Sequence, residues 1–153
     1  MTDVMGALMS ALSEAGYALI DAHDDHLTVA VRAGSLPGGS HLPVTFALAE
    51  EDGVVTVQLS ATLDVDAQDT PALLTAVNAV NADTLFARAF VAQNEDDAGT
   101  QLWLEGAAPL GTPDDADDGA ARWAVWLAAQ FERDFEVTLA VLLSEPEYGT
   151  VQA

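Results

Sequence analysis

Three short stretches of this chain carry residue types that can do chemistry. His23-Asp24-Asp25-His26 places imidazoles and carboxylates within one tight turn, and these are donor types that zinc and other divalent metals accept. His23, Asp25 and His26, with His41 further along, are the candidate ligands. Two histidines flanking a hairpin turn are expected to project to opposite sides or outward. No distant third ligand stands out, so an exposed turn is the expectation, with no metal or other cofactor. Asp64-Val65-Asp66-Ala67-Gln68-Asp69 opens like a calcium loop. The likeness ends at Gln68 and Asp69, where that pattern wants an oxygen ligand and then glycine, and Thr75 stands in the place of the bidentate glutamate. Gly34 to Leu42 is rich in glycine but has neither phosphate-loop spacing nor a following helix, and reads as a connector. A hydrolase built on paired carboxylates needs two acids facing each other in a cleft. The acid clusters here, Glu50 to Asp52 and Asp114 to Asp118 among them, fall in turns where carboxylates are solvated, so no catalytic residue is assigned.

The elements that must position these groups are those of one domain. The chain has 153 residues, 50% of them hydrophobic, with a mean hydropathy of +0.21, enough to fold around a single core. It has no cysteine, which excludes disulfides, thiolate metal sites and cysteine nucleophiles. Against 25 acidic residues stand four basic ones, Arg32, Arg88, Arg122 and Arg133, for a formal charge of -21. Without a basic patch, direct binding to nucleic acid or an anionic membrane is disfavoured, and basic partners are favoured. The same acidity fits an acidic mimic of DNA that occupies a DNA-binding protein. There is no secretory signal pattern and no apolar run long enough to span a membrane, so a cytoplasmic location is expected.

Val4, Leu8, Leu12 and Ala15 share one face of a first helix that Gly16 stops. Tyr17 to Asp21 and Leu27 to Arg32 form a hairpin about the histidine turn, and two further alternating strands follow, centred on Leu42 to Leu48 and Val55 to Leu63. The centre of the pattern is Thr70 to Asp83, a helix marked by Thr70 and by Pro71 at its first position. Leu73, Leu74, Val77 and Val80 make its apolar face, and Leu73, Val77 and Val80 suit a dimer or partner surface as well as the core. Asn78 and Asn81 lie beside that face, Asn81 placed to cap the chain reversal and Asn78 to bond a neighbouring strand. Leu85 to Ala92 and Gln101 to Glu105 are the last strands, with Phe86, Arg88, Phe90 and Ala92 on one side. Gly106 to Asp118 reads as a loop ending in the cap Asp118. Gly119 to Ser144 is a long helix with Trp123, Leu127, Phe131, Phe135, Leu139 and Leu142 on its core face and Trp126 adjoining. The predicted fold is α+β, a single domain over residues 1–153, in the order α-β-β-β-β-α-β-β-α, its antiparallel sheet packed on one side by helices.

At V-N-A-V-N-A-D, followed by F-A-R-A-F-V-A, the chain resembles the YbjN family of bacterial proteins, whose fold is similar to that of type III secretion chaperones. The likeness runs from a first helix ending in Gly16-Tyr17, through a middle helix ending in the Asn78/Asn81 pair, to a phenylalanine-bearing hairpin and a terminal amphipathic helix. The resemblance implies a small, acidic, non-enzymatic homodimer that binds a segment of another protein in chaperone-like fashion, or modulates a stress or sensory response. It implies no catalytic residue and no cofactor.

Overall fold

The computed structural model describes residues 2–32, 41–66, 70–93, 100–145 and 150–152. The elements are α1 (Thr2–Glu14), β1 (Ala18–Ala22), β2 (His26–Arg32), β3 (His41–Glu51), β4 (Val54–Asp66), α2 (Thr70–Asp83), β5 (Arg88–Gln93), β6 (Thr100–Gly111), α3 (Ala116–Ser144) and β7 (Thr150–Gln152). This is the predicted α+β order, with β7 added. The glycine-rich connector, the end of the calcium-like stretch at 67–69 and the turn at 94–99 lie outside the described residues, apart from the connector's last two positions, which begin β3.

Six strands run antiparallel in the spatial order β1-β2-β3-β4-β6-β5. β4 is the longest and central. β3 accompanies it from Val54 to Ser60, and β7 pairs with it at Asp64 to Asp66. Since β6 holds the other flank of β4 at Asp64 and Val65, β7 fills the flank that β3 leaves. The β3–β4 turn is Asp52-Gly53, both at positive φ (53° and 77°), the conformation whose twist matches a two-residue hairpin.

Period-two alternation turns Leu27, Val29, Val31, Leu42, Val44, Phe46, Leu48, Val57, Leu59, Leu63, Leu102 and Leu104 to one face, where all are buried. The helices cover that face with Val4, Met5, Leu8 and Leu12 from α1, Leu73, Ala76, Val77 and Val80 from α2, and Leu127, Phe131, Phe135, Leu139 and Leu142 from α3. Gly16, at φ 93°, closes α1: the Tyr17 N–H donates to the Leu12 carbonyl (3.0 Å) and the Gly16 N–H to that of Ser13 (3.1 Å).

Three expectations are corrected. β6 does not stop at Glu105 but continues through Ala107, Ala108 and Pro109 to Gly111, because β4 offers a partner along that length. The terminal helix begins at Ala116 with Asp115 as its N-cap residue, not Asp118, because the Asp115 and Ala116 N–H groups already turn onto the Thr112 carbonyl (2.9 and 2.8 Å). Trp123 and Trp126 are 46% and 50% exposed, not core. The first turns of α3 lie so close to β6 that only Ala116, Gly119, Ala120 and Ala124 fit between them, and a Cβ at Gly119 would overlap the Leu110 carbonyl. The two indoles therefore turn outward, edge to face with centroids 5.9 Å apart.

Candidate functional site

The reversal from α2 into β5 is held by two side chains. Asn81 accepts a hydrogen bond from the Ala89 N–H (2.7 Å) and donates one to the Ala89 carbonyl (3.0 Å). Both backbone groups of Ala89 thus face away from β6 at the outer edge of the sheet, and the Asn81 amide meets them as the peptide of another strand would. Asn81 does the strand bonding expected of Asn78. Asn78 itself is exposed, with no hydrogen bond from its side chain among the described residues.

The second anchor is Asp134 of α3, fully buried. Its carboxylate accepts the N–H groups of Leu85 (3.0 Å), Phe86 (2.7 Å) and Ala87 (2.7 Å), with the Arg133 guanidinium at 3.5 Å. Three consecutive N–H groups converging on one carboxylate curl the chain before β5, so the strand starts at Arg88 and not at Leu85. Phe86 is consequently not on the side of Arg88 and Phe90. It packs against the core, its ring filling the space that a side chain at Gly106 would need. Asp134 was not singled out in the sequence, although the signal was there: it sits three residues after Phe131 and four before Thr138, on the register of the buried face.

The reversal thereby aims Arg88 and Phe90 onto the sheet face that none of the described helices covers. Strand register lays two rows across it. One runs Arg88, Glu105, Ser60, Thr45 and Thr28; the other runs Phe90, Trp103 and Thr62. Thr28 and Thr45 hydroxyls lie 3.2 Å apart, and Gln101 donates to Asp64 (3.3 Å). The Phe90 and Trp103 rings stack, with centroids 6.2 Å apart and planes 12° apart, and Phe90 is 41% exposed. The Trp103 indole N–H is buried without an acceptor among the described residues. Beside the stack, Gln58, Arg88, Phe90 and Glu105 line a depression of about 270 Å³. Arg88 and Glu105 face each other in register but form no ion pair. This open face carries small and polar residues over most of its area, with an aromatic pair and a guanidinium that has no ion-pair partner among the described residues at one end, a composition suited to contact with another macromolecule.

The other predicted residues are distributed differently. Leu73, Val77 and Val80 are buried, 1%, 7% and 0% exposed, so the expected dimer or partner surface on α2 is corrected: that face is closed by the chain's own core. The histidine turn is exposed, as expected, but His23 and His26 lie on the same side and not on opposite ones. The His23 N–H donates to the His26 carbonyl (2.8 Å), and residues directly opposite in a hairpin share a face, so the rings stack with centroids 4.3 Å apart. His23 Nε2 meets Asp21 and His26 Nδ1 meets Asp25, each at 2.8 Å. These hydrogen bonds hold the Asp21 and Asp25 carboxyls below the usual carboxylate range. Among the described residues no cluster of three or more potential metal ligands forms, and His41 stands apart at the start of β3. No helix among them is long and apolar enough to cross a membrane.

Comparison with known proteins adds the following. The profile of the YbjN family, described as "Putative bacterial sensory transduction regulator", matches residues 7–137. The crystal structure of YbjN from E. coli, described there as "a putative transcription regulator", superposes with a TM-score of 0.59 at 15% identity, over 91% of this chain and 90% of that one. Comparison with curated proteins gives no match.

Proposed function

This chain belongs to the YbjN family, and from that premise we propose that it is a non-enzymatic regulator that acts by binding another protein, in chaperone-like fashion, through its open sheet face. The observation that carries this reading is the stacked Phe90–Trp103 pair beside Arg88, which has no ion-pair partner among the described residues, on the face that none of the described helices covers. Aromatic side chains and arginine are the types that concentrate binding energy at protein interfaces. The charge of -21 favours a partner with a basic segment and speeds its approach. A cytoplasmic location and a homodimeric state belong to the same proposal; the exposed Leu19 and Ile20 of β1 support the dimer. Such a protein serves a sensory or stress response by sequestering or presenting its partner.

The test is co-purification from native extract with the unaltered chain and with Phe90→Ser, a change at an exposed position that leaves the core intact. A partner retained by the first and lost by the second, with equal melting temperatures, is the expected result. Equal recovery with both would remove the open face from the proposal. Light scattering measures the dimer directly, and a monomer mass at micromolar concentration would dismiss it.

A further inference from the structure

At the opposite edge of the sheet from Phe90, the turn from α1 into β1 crosses the ends of β2 and β3 beside α3 and encloses a cleft of about 350 Å³. Tyr17, Ala30, Arg32, His41, Val125 and Glu132 line it. We propose that this cleft binds a small zwitterion, in its simplest form an α-amino acid, with Arg32 taking the carboxylate and Glu132 the ammonium.

The argument starts from two charges that do not meet. Arg32 and Glu132 line the same cleft, together with Tyr17. They form no ion pair with each other, and neither has an ion-pair partner among the described residues. In a chain with 25 acids and four bases, an arginine left unpaired in a concave site is a guanidinium available to a ligand. His41 is paired in register with Arg32 across β2 and β3, which adds a second donor on the same side. Tyr17 lines the cleft as well, and its hydroxyl can donate.

The field of the whole protein then selects the ligand class. A plain anion must approach a body of formal charge -21, and a plain cation that enters meets Arg32. A zwitterion carries no net charge through the field and satisfies both walls once inside, its carboxylate taking the two parallel donors of a guanidinium fork. Val125 of α3 adds an apolar group to the lining, available to the ligand's side chain. Its volume lies at the small end of ligand pockets, which run from about 300 to 1,000 Å³. The cleft lies at the β1 edge of the sheet, away from the Phe90–Trp103 stack at the β5 edge, and stands or falls independently of it.

The experiment is titration calorimetry of the full chain with L-alanine, L-leucine, L-glutamate and L-arginine at millimolar concentration. The best binder is then compared with its amide, which lacks the carboxylate, and with its deamino acid, which lacks the ammonium. One-site binding that weakens about tenfold or more for each analogue is expected, since each loses a charge-assisted hydrogen bond. Arg32→Gln and Glu132→Gln, both at surface positions, should weaken binding by a similar factor, while Glu50→Gln, on β3 away from the cleft, should not. Circular dichroism checks that each variant is folded. No heat with any of the four, equal affinity for the deamino acid, or binding unchanged by Arg32→Gln would each overturn the proposal.

Discussion

Asp134 is the carboxylate on which the geometry of the open face depends, since its three backbone bonds aim β5. In Asp134→Asn one acceptor oxygen becomes an NH2 group facing N–H donors. Buried donors left without an acceptor cost about 1–3 kcal/mol each, so the variant should lose about 2–3 kcal/mol of stability, read by urea denaturation. A loss under about 0.5 kcal/mol, the range of neutral surface changes, would contradict this account. Tyr17 offers a pH test. Burial first, then Glu132, raises its phenol above 10.0, against the pull of Arg32. As pH rises past 10.0 the unfolded chain releases this proton before the folded one does, so stability falls with pH until the folded phenol also ionises. Tyrosinate absorbance, with Tyr17→Phe as the reference, should place Tyr17 above an ordinary tyrosine, and Glu132→Gln should lower it without removing the part due to burial. Legibility differed among these residues. Asn81 was readable as a structural amide, because it ends a well-marked helix. The role of Asp134 was not, because its donors come from a segment almost fifty positions earlier in the chain.

At the scale of elements, the strongest local signals gave the most accurate bounds. Thr70 to Asp83 folds as read, its apolar spacing and Pro71 agreeing with the surroundings. Burial of Val80 makes Val80→Asp a substitution that should unfold the protein, since an unpaired carboxylate would enter the core. A soluble, cooperatively melting Val80→Asp variant would show the helix to be misplaced. The C-terminal half of β6 was illegible because Gly106-Ala-Ala-Pro-Leu-Gly111 has loop composition and is a strand only through its pairing with β4. The face of α3 was misread for a related reason. Large residues at helical spacing predict burial, but the distance between helix and sheet decides which of them fit, and here it is set by Gly119. Gly119→Ala should destabilise the protein by about 3 kcal/mol, because its methyl meets the rigid backbone of Leu110 and not a side chain that can move. Thermal melting of the variant is the check, and an unchanged midpoint would remove the close contact from the account.

For the molecule as a whole, 25 acidic residues on a single small domain repel one another, and few cations are present to offset them. Added sodium chloride should therefore raise the melting temperature as the screening length contracts from about 30 Å at 0.01 M to about 3 Å at 1 M. A midpoint flat across that range would show that self-repulsion does not limit stability. Composition made this charge legible from the outset, yet it could not tell which sheet face is open; that follows from where three helices pack. The amide of Asn81 also decides how many neighbours a sheet of this kind can accept. A flat sheet has two flanks, and on one of them the place of the next strand is already taken at Ala89 by a side chain of the same molecule. Among the described strands, β1 is then the flank left for joining flank to flank along its whole length, and two molecules joined there would use up both of their β1 sides. Growth by strand addition through β1 would end at a closed two-fold pair and not run on into a fibril.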